Sequence, residues 1–333
     1  MDYNKWAKFF GICAQLFPTR KPAQIPGNSL RGEDGLVAGL IFDIKRYAIH
    51  DGPGIRTTVF FKGCLLSCWW CHNPEGRFSD MELMIWPNRC IGCRSCVSSC
   101  ANRAISTRDG SIVTNRDKCK VCGVCVEKCP TNAREIVGKW VSVNELMHEV
   151  EKDFPFYEGS GGITASGGEP LIQPVFLDAF LSACKEKDIH TALDTSGYAE
   201  KRILMKISKN VDLFLYDLKV MDDEKHRLYT GVSNKRILEN LELLDTLDKK
   251  IIIRFPLIPH INSNGENIRN MCEFISRLRN VKEVAVLPYH RLGVEKARRL
   301  SKEARVFDKP SNRMLNHTLK LIKSLGLKVK IGG

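Results

Sequence analysis

The chain has 333 residues, 43% of them hydrophobic, with 14 cysteines and a formal charge of +13. Its longest apolar stretches, such as 213–216 and 251–253, fall far short of the roughly 20 residues a membrane span requires, so no membrane role is expected. The basic balance invites a nucleic-acid reading, but Lys and Arg at 201, 202, 206, 209, 296, 298 and 299 read as solvated helix faces; nucleic acid is not the expected partner, and an acidic protein fits the charge at least as well.

Residues 1–36, with Pro22, Pro26, Gly27, Ser29, Gly32 and Gly35 and no sustained periodicity, read as a flexible or loosely docked extension. The apolar run 9–17 behind Lys5 and Lys8 lacks a small-residue cleavage site and is broken by Pro18, so secretion is not expected. An apolar stretch at 40–44 is followed by a β-branched and aromatic strand at 57–62 that runs straight into Gly63 and Cys64. From 77 to 133 the composition turns to cysteine, small and basic residues without a long helix, which marks an inserted module. Beyond it, Ser142 and Glu145 form a capping box that opens a helix to about Lys152. Strands at 162–166, 190–194, 212–216, 250–255 and 282–287 alternate with helices around 176–187, 202–209, 236–247 and 267–279, and a helix at 313–324 and a short strand at 327–331 close the chain. With 57–62 that makes six βα excursions. The expected fold class is α/β, a partial (β/α)6 barrel formed by 37–76 and 134–333, interrupted by the 77–133 module.

Eleven cysteines fall in three runs: Cys64, Cys68 and Cys71; Cys90, Cys93, Cys96 and Cys100; Cys119, Cys122, Cys125 and Cys129. Disulfides would not need such tight spacings, so the reducing cytoplasm is the expected compartment. A [4Fe-4S] cluster takes four thiolates, so the second and third runs saturate two clusters and the first leaves one iron of a third cluster open. Counting eleven thiolates and three cluster cores lowers the net charge to about +8. The second and third runs repeat one another and resemble the bacterial ferredoxin run, which implies that Cys90, Cys93 and Cys96 share a cluster with Cys129, and Cys119, Cys122 and Cys125 with Cys100. Paired zinc ribbons would not use the third and fourth cysteine of each run. Cys13, Cys184 and Cys272 are isolated and read as ordinary buried thiols.

In βα barrels, chemistry collects at the carboxyl ends of the strands. Those ends carry Cys64, then Gly167-Gly168-Glu169, then Asp194-Thr195-Ser196, then Asp217 and Lys219, then Arg254, then Tyr289-His290. Taken singly, Gly167-Gly168-Glu169 is a turn, Asp194 a helix cap and His290 a structural histidine. Their common position at one rim argues for a site.

Cys64-Leu-Leu-Ser-Cys68-Trp-Trp70-Cys71 resembles the C-x3-C-x-aromatic-C signature of the radical S-adenosylmethionine superfamily. With Asp51-Gly-Pro-Gly-Ile-Arg56, Gly-Gly-Glu-Pro, Asp217-Leu-Lys219 and Pro288-Tyr-His290, the chain from about residue 40 onward resembles the glycyl radical enzyme activating enzymes, in the subgroup with a two-cluster ferredoxin-like insert. The resemblance implies S-adenosylmethionine on the open iron, its reductive cleavage to methionine and a 5′-deoxyadenosyl radical, and removal of a hydrogen atom from a glycine of a partner enzyme. It implies that Trp70, Gly167, Gly168, Glu169, Asp194, Ser196, Lys219, Arg254 and His290 surround that cofactor. Asp194, Thr195, Asp217 and the carbonyl of Leu215 match positions that hold a monovalent cation, and Asp51 and Arg254 match positions near the partner's glycine loop. The implied partners are a glycyl radical enzyme, a dehydratase, decarboxylase or C–N or C–S lyase rather than pyruvate formate-lyase, and a reduced flavodoxin or ferredoxin as electron donor. Two other readings stay open: a radical enzyme modifying another peptide or RNA, and a non-catalytic iron–sulfur carrier.

Overall fold

The computed structural model describes residues 37–324 and 326–332, so the 1–36 extension and Cys13 lie outside the described residues. In chain order the strands are β1 (Ala38–Ala48), β2 (Arg56–Phe61), β3 (Glu82–Ile85), β4 (Ile105–Arg108), β5 (Ser111–Thr114), β6 (Arg134–Val137), β7 (Lys139–Ser142), β8 (Gly162–Gly167), β9 (His190–Thr195), β10 (Leu213–Asp217), β11 (Lys250–Leu257), β12 (Val281–Pro288) and β13 (Lys328–Ile331). Nine of them make one sheet in the order β13-β12-β11-β10-β9-β8-β2-β1-β7. From β2 to β13 every neighbouring pair is parallel, while β1 pairs antiparallel with both β2 and β7. The six expected strands are thus consecutive neighbours. The closing strand, read as a separate element, extends the series as a seventh parallel strand by pairing Glu283 with Lys328 through Val286 with Ile331.

Alternation along the strands sorts their side chains into two faces. Ile163, Ala165, Leu193, Phe214, Tyr216, Ile253, Phe255, Val284 and Val286 face the helical layer and share one core with Phe176, Leu177, Phe180 and Leu181 of the helix Pro174–Glu186. Each wholly buried Ile, Leu, Val or Phe among them contributes roughly 1.5–3 kcal/mol of transfer energy. Residues of the other parity are different in kind. Parallel registers set Thr58 beside Thr164, Thr164 beside Ala192, Leu215 beside Asp194 and Asp217 beside Arg254, so the opposite face joins small, polar and charged residues to a small apolar cluster of Ala192, Leu213 and Leu215. A functional face is built by the same period that builds the core.

The expected capping box forms with both hydrogen bonds, Glu145 N–H to Ser142 Oγ at 3.2 Å and Ser142 N–H to the Glu145 carboxylate at 2.7 Å, and opens the helix Val143–Glu151. Two helices escape the sequence reading. Asp223–Thr230 and Leu292–Arg299 are dominated by charged residues, so neither shows an apolar stripe in sequence. The second corrects an expectation. Lys296 and Arg299 are not a solvated face: Lys296 pairs with Glu75 at 2.6 Å, and the Arg299 guanidinium lies 3.7 Å from the centre of the Trp86 ring. Lys201, Arg202, Lys206 and Lys209 are exposed as expected, and Cys184 and Cys272 are buried.

Between β2 and β7 the chain makes two antiparallel pairs, β3 with β6 and β4 with β5, and two four-residue helices, Ser95–Ser98 and Val124–Glu127. The repeat seen in the cysteine spacing is also a repeat of backbone. Positive φ recurs at equivalent places, Gly92 (72°) and Val121 (52°), Arg94 (61°) and Gly123 (83°), Arg103 (49°) and Asn132 (51°). The N–H groups of Ala104 and Ala133 meet Cys100 Sγ and Cys129 Sγ, each at 3.3 Å.

Candidate active site

β2 delivers the chain to Gly63, and the loop carrying Cys64, Cys68 and Cys71 is stitched down on both sides. The Gly63 and Cys64 N–H groups donate to the carbonyls of Gly76 (2.7 Å) and Arg77 (3.0 Å), and those of Ser67 and Trp69 to Thr230 (2.7 Å) and Tyr229 (3.1 Å). Trp70 anchors it from beneath, buried with Val220, Ile258 and Tyr289. The three residues are half-buried, and the desolvated surroundings of their thiols push each of them up, Cys68 to about 12 against the pull of Lys219. Iron binding at this loop therefore releases protons.

Glu169 is wholly buried, and its carboxylate accepts from Thr195 Oγ1 (2.6 Å), the Ser196 N–H (2.9 Å), Ser196 Oγ (2.5 Å) and the Leu171 N–H (3.2 Å). It ties the end of β8 to the end of β9. The two glycines before it answer to packing: a Cβ on Gly168 would stand 2.2 Å from the Gly63 carbonyl oxygen and 2.3 Å from that of Gly76, and one on Gly167, at φ +120°, would meet the Phe61 backbone at 2.4 Å. Three chain segments meet there at main-chain distance, directly under the cysteine loop.

On the polar face, Asp194 accepts from Ser166 Oγ at 2.7 Å and lies 3.1 Å from Arg254 Nη1, which also faces Asp51 at 3.7 Å. Burial pushes the Asp194 carboxyl up, to about 6, against the pull of Arg254 and with the help of Asp217. Lys219 Nζ meets Asp217 at 2.6 Å, and that carboxylate keeps the ammonium charged despite its burial. The proposed cation ligands thus appear as a chain of ion pairs, Asp217 on Lys219 and Asp194 on Arg254, while Thr195 turns to Glu169 and Leu215 packs with Ala192 and Leu213.

Several buried polar atoms here have no hydrogen-bond partner: Arg254 Nε and Nη1, Tyr289 Oη and His290 Nδ1. The His290 ring stands edge-on to His72, next to Cys71, at 4.4 Å between centroids. Buried groups of this kind normally find partners. Unsatisfied donors beside a three-cysteine loop suit a cofactor that brings a carboxylate, an amine and a polar nucleoside, so the residues present fit a cluster with S-adenosylmethionine on its open iron.

Two further groups belong to this site, and sequence reasoning gave neither a role. Arg56 is wholly buried and donates to Thr164 Oγ1 (2.7 Å) and the carbonyls of Pro53 (3.0 Å), Ile163 and His190 (3.2 Å), while Thr164 donates onward to the Asp51 carbonyl at 2.6 Å. It pins the loop that presents Asp51 to Arg254; its place in the Asp51–Arg56 motif was the available signal. Gly293 is the second, since a Cβ there would stand 2.2 Å from the Cys71 carbonyl oxygen.

In the 77–133 segment, Cys100, Cys119, Cys122 and Cys125 line one cavity with Leu83, Ile105 and Ile136. Cys90 and Cys93 are exposed and Cys96 is buried.

Residues 58–275 match the radical SAM superfamily. The trans-4-hydroxy-L-proline dehydratase activating enzyme of Clostridioides difficile is 42% identical over 300 residues, covering 88% of this chain and 99% of that protein. The indoleacetate decarboxylase activating enzyme of Tractidigestivibacter scatoligenes is 35% identical over 90% of this chain and 99% of its own length, and the isethionate sulfite-lyase activating enzyme of Oleidesulfovibrio alaskensis 42% identical over 82% and 90%. These relatives do not favour a peptide- or RNA-modifying enzyme or a bare electron carrier. With its cysteine loop, its rim of charged strand ends and relatives aligned over nearly their whole length, the chain belongs to the radical S-adenosylmethionine superfamily and, within it, to the enzymes that activate glycyl radical enzymes.

Proposed function

We propose that this activating enzyme serves a partner that performs a dehydration, a decarboxylation or a C–N or C–S bond cleavage, rather than pyruvate formate-lyase. The observation that carries this is the full-length agreement with relatives named for a dehydratase, a decarboxylase and a sulfite-lyase. The enzyme would work in the cytoplasm with three [4Fe-4S] clusters, one on Cys64, Cys68 and Cys71, one on Cys90, Cys93, Cys96 and Cys129, and one on Cys119, Cys122, Cys125 and Cys100. In this reading 37–76 and 134–333 are a partial (β/α)6 barrel and 77–133 a ferredoxin-like insert.

When bound, the reduced first cluster supplies one electron to the sulfonium of S-adenosylmethionine, and the cleaved cofactor leaves as methionine and as 5′-deoxyadenosine carrying the partner glycine's hydrogen. The chain's residues do the holding. His290 and Lys219 would meet the carboxylate of the cofactor as charge-assisted partners. The main chain at Gly167 and Gly168, fixed by Glu169 on Thr195 and Ser196, would border its methionine end, with Trp70 fixing the cysteine loop. Asp194, Thr195, Asp217 and the Leu215 carbonyl, all hard oxygen donors, would take a monovalent cation in place of the present ion pairs. Arg254, with its Nε unpartnered and Asp51 beside it, would border the adenosyl group and the incoming glycine loop.

Electrons would come from a reduced flavodoxin or ferredoxin through the two insert clusters. Replacing Cys119 and Cys122 together should slow activation by the protein donor more than activation by dithionite; equal slowing of both removes the relay. The function itself is tested by anaerobic reconstitution with the partner encoded beside this chain. The expected result is 5′-deoxyadenosine together with a glycyl electron paramagnetic resonance signal on the partner, and cleavage without that signal would send the radical elsewhere.

A further inference from the structure

The segment that follows His290 has no part in the reaction described above, yet it touches both the cysteine loop and the insert. At its start Gly293 sits on the Cys71 carbonyl, too close for any side chain. One turn later Lys296 Nζ reaches Asn73 Oδ1 at 3.1 Å and Glu75 Oε1 at 2.6 Å, so two more residues of the turn after Cys71 are gripped. The segment then crosses to the insert. Trp86 lies between the guanidinium groups of Arg89 (3.9 Å) and Arg299 (3.7 Å), Leu300 is buried with Met84 and Val137, and Arg116 donates to Ser301 Oγ at 2.9 Å and to the Leu83 carbonyl.

The segment ends on a shared carboxylate. Lys302 Nζ lies 2.7 Å from Glu82 Oε1 and donates to the Pro74 carbonyl at 3.1 Å; Lys62 Nζ, wholly buried, donates to Glu82 Oε2 at 2.8 Å and to the Glu75 carbonyl at 2.6 Å. Glu82 opens β3 inside the insert, Lys62 stands two positions before Cys64, and Lys302 belongs to the C-terminal segment. Removing one partner of a buried charge set leaves the rest uncompensated, which is strongly destabilising locally. Both ammonium groups also donate to carbonyls of the turn between Cys71 and the insert, so a shift of Glu82 is a shift of that turn.

We infer that Glu82 and residues 292–302 form a brace by which the insert holds the Cys64–Cys71 loop in the geometry that receives S-adenosylmethionine. They are positioning residues, acting through the loop and touching no reacting atom, and their role is separate from any electron relay. The inference rests on Cys64, Cys68 and Cys71 carrying the family's cluster. Displacements of about 1 Å at such a site cost roughly a hundredfold, so a slackened brace has a visible effect even where the fold survives.

The test uses reconstituted holoenzyme reduced with dithionite, which bypasses any protein donor. S-adenosylmethionine is titrated against the electron paramagnetic resonance spectrum; the change it causes reports on the cluster with the open iron alone. Glu82→Ala, with its iron content matched to the parent, should weaken that titration roughly tenfold, and Glu82→Asp should recover part of the loss. If Glu82→Ala does not fold, Trp86→Ala and Ser301→Ala loosen the same brace from its more exposed side and should weaken the titration by a smaller factor. Variants with full iron and the parent's titration overturn the brace, as does a defect seen only with a protein donor. A parent enzyme whose spectrum does not respond to S-adenosylmethionine would overturn instead the cluster assignment beneath it.

Discussion

The two cysteine-rich regions use one ligand type in opposite surroundings. In the 77–133 segment the cysteines come in two matching copies, with Cys90, Cys93 and Cys122 exposed and few charges paired beside them. In the loop after β2 a single run of three is framed by Glu169, Lys219, Asp217, Arg254 and Asp194, nearly all buried or bonded to one another. The thiolates alone do not set the job. What surrounds a cluster determines whether it can bind and activate another molecule or can only accept and pass on an electron.

The sharpest way to break this comparison is Cys68→Ser, which should abolish S-adenosylmethionine cleavage; with the three clusters proposed above, bound iron should fall by only about one third. Iron analysis beside a 5′-deoxyadenosine assay reads both. Next in size is Glu169→Gln. The amide keeps the shape but turns an NH2 toward groups that donate to the carboxylate now, so about 1–3 kcal/mol of positioning is lost and cleavage should fall roughly tenfold to a hundredfold. Its iron content should match the parent, which separates a misplaced strand end from a lost cluster.

Two smaller effects compare the frameworks. Asp212, at the far end of β10, accepts from Lys185 Nζ (2.7 Å) and the Thr191 N–H (2.9 Å), and these partners outweigh its burial and hold its carboxyl below the usual range. Its stabilisation is therefore present at neutral pH and lost as pH falls below about 4. Asp212→Asn should lower stability by about 1 kcal/mol at pH 7, and by less in acid, as measured by denaturant unfolding. Smallest is Val121→Gly in the insert. Val121 occupies a left-handed position where the matching residue of the first half is Gly92, so relief of backbone strain offset by added chain entropy should raise stability by about 0.5 kcal/mol.

The parts of the molecule legible in the sequence were those whose partners are near in the chain. Cysteine runs, the Ser142–Glu145 box and the strand ends carry their signal within a few residues, and β2 and β8 to β12 appear where alternation and β-branching placed them. The brace was not legible, because Lys62, Glu82 and Lys302 meet across separations of 20 and 220 residues and each looks like a solvated charge in its own neighbourhood. Arg56 was overlooked for the same reason, its hydroxyl partner lying 108 residues away. Glu169 was read from its motif, with Gly167 and Gly168, as a place where the backbone approaches the cofactor; that its side chain also fastens the end of β8 to the end of β9 has no signal in the motif.

The pairing of β3 with β6, Glu82 opposite Val137 through Ile85 opposite Arg134, brings the two ends of the insert side by side as a narrow stem. A module attached by such a stem can be removed from the gene without parting the strands it interrupts, and a shortened chain joined across residues 81 and 138 would still run from Cys71 into β7. That shortened chain would keep Lys62 and Lys302 but lose Glu82. Excision is topologically simple and electrostatically incomplete, so a version of this enzyme designed without the module needs a carboxylate restored at the junction.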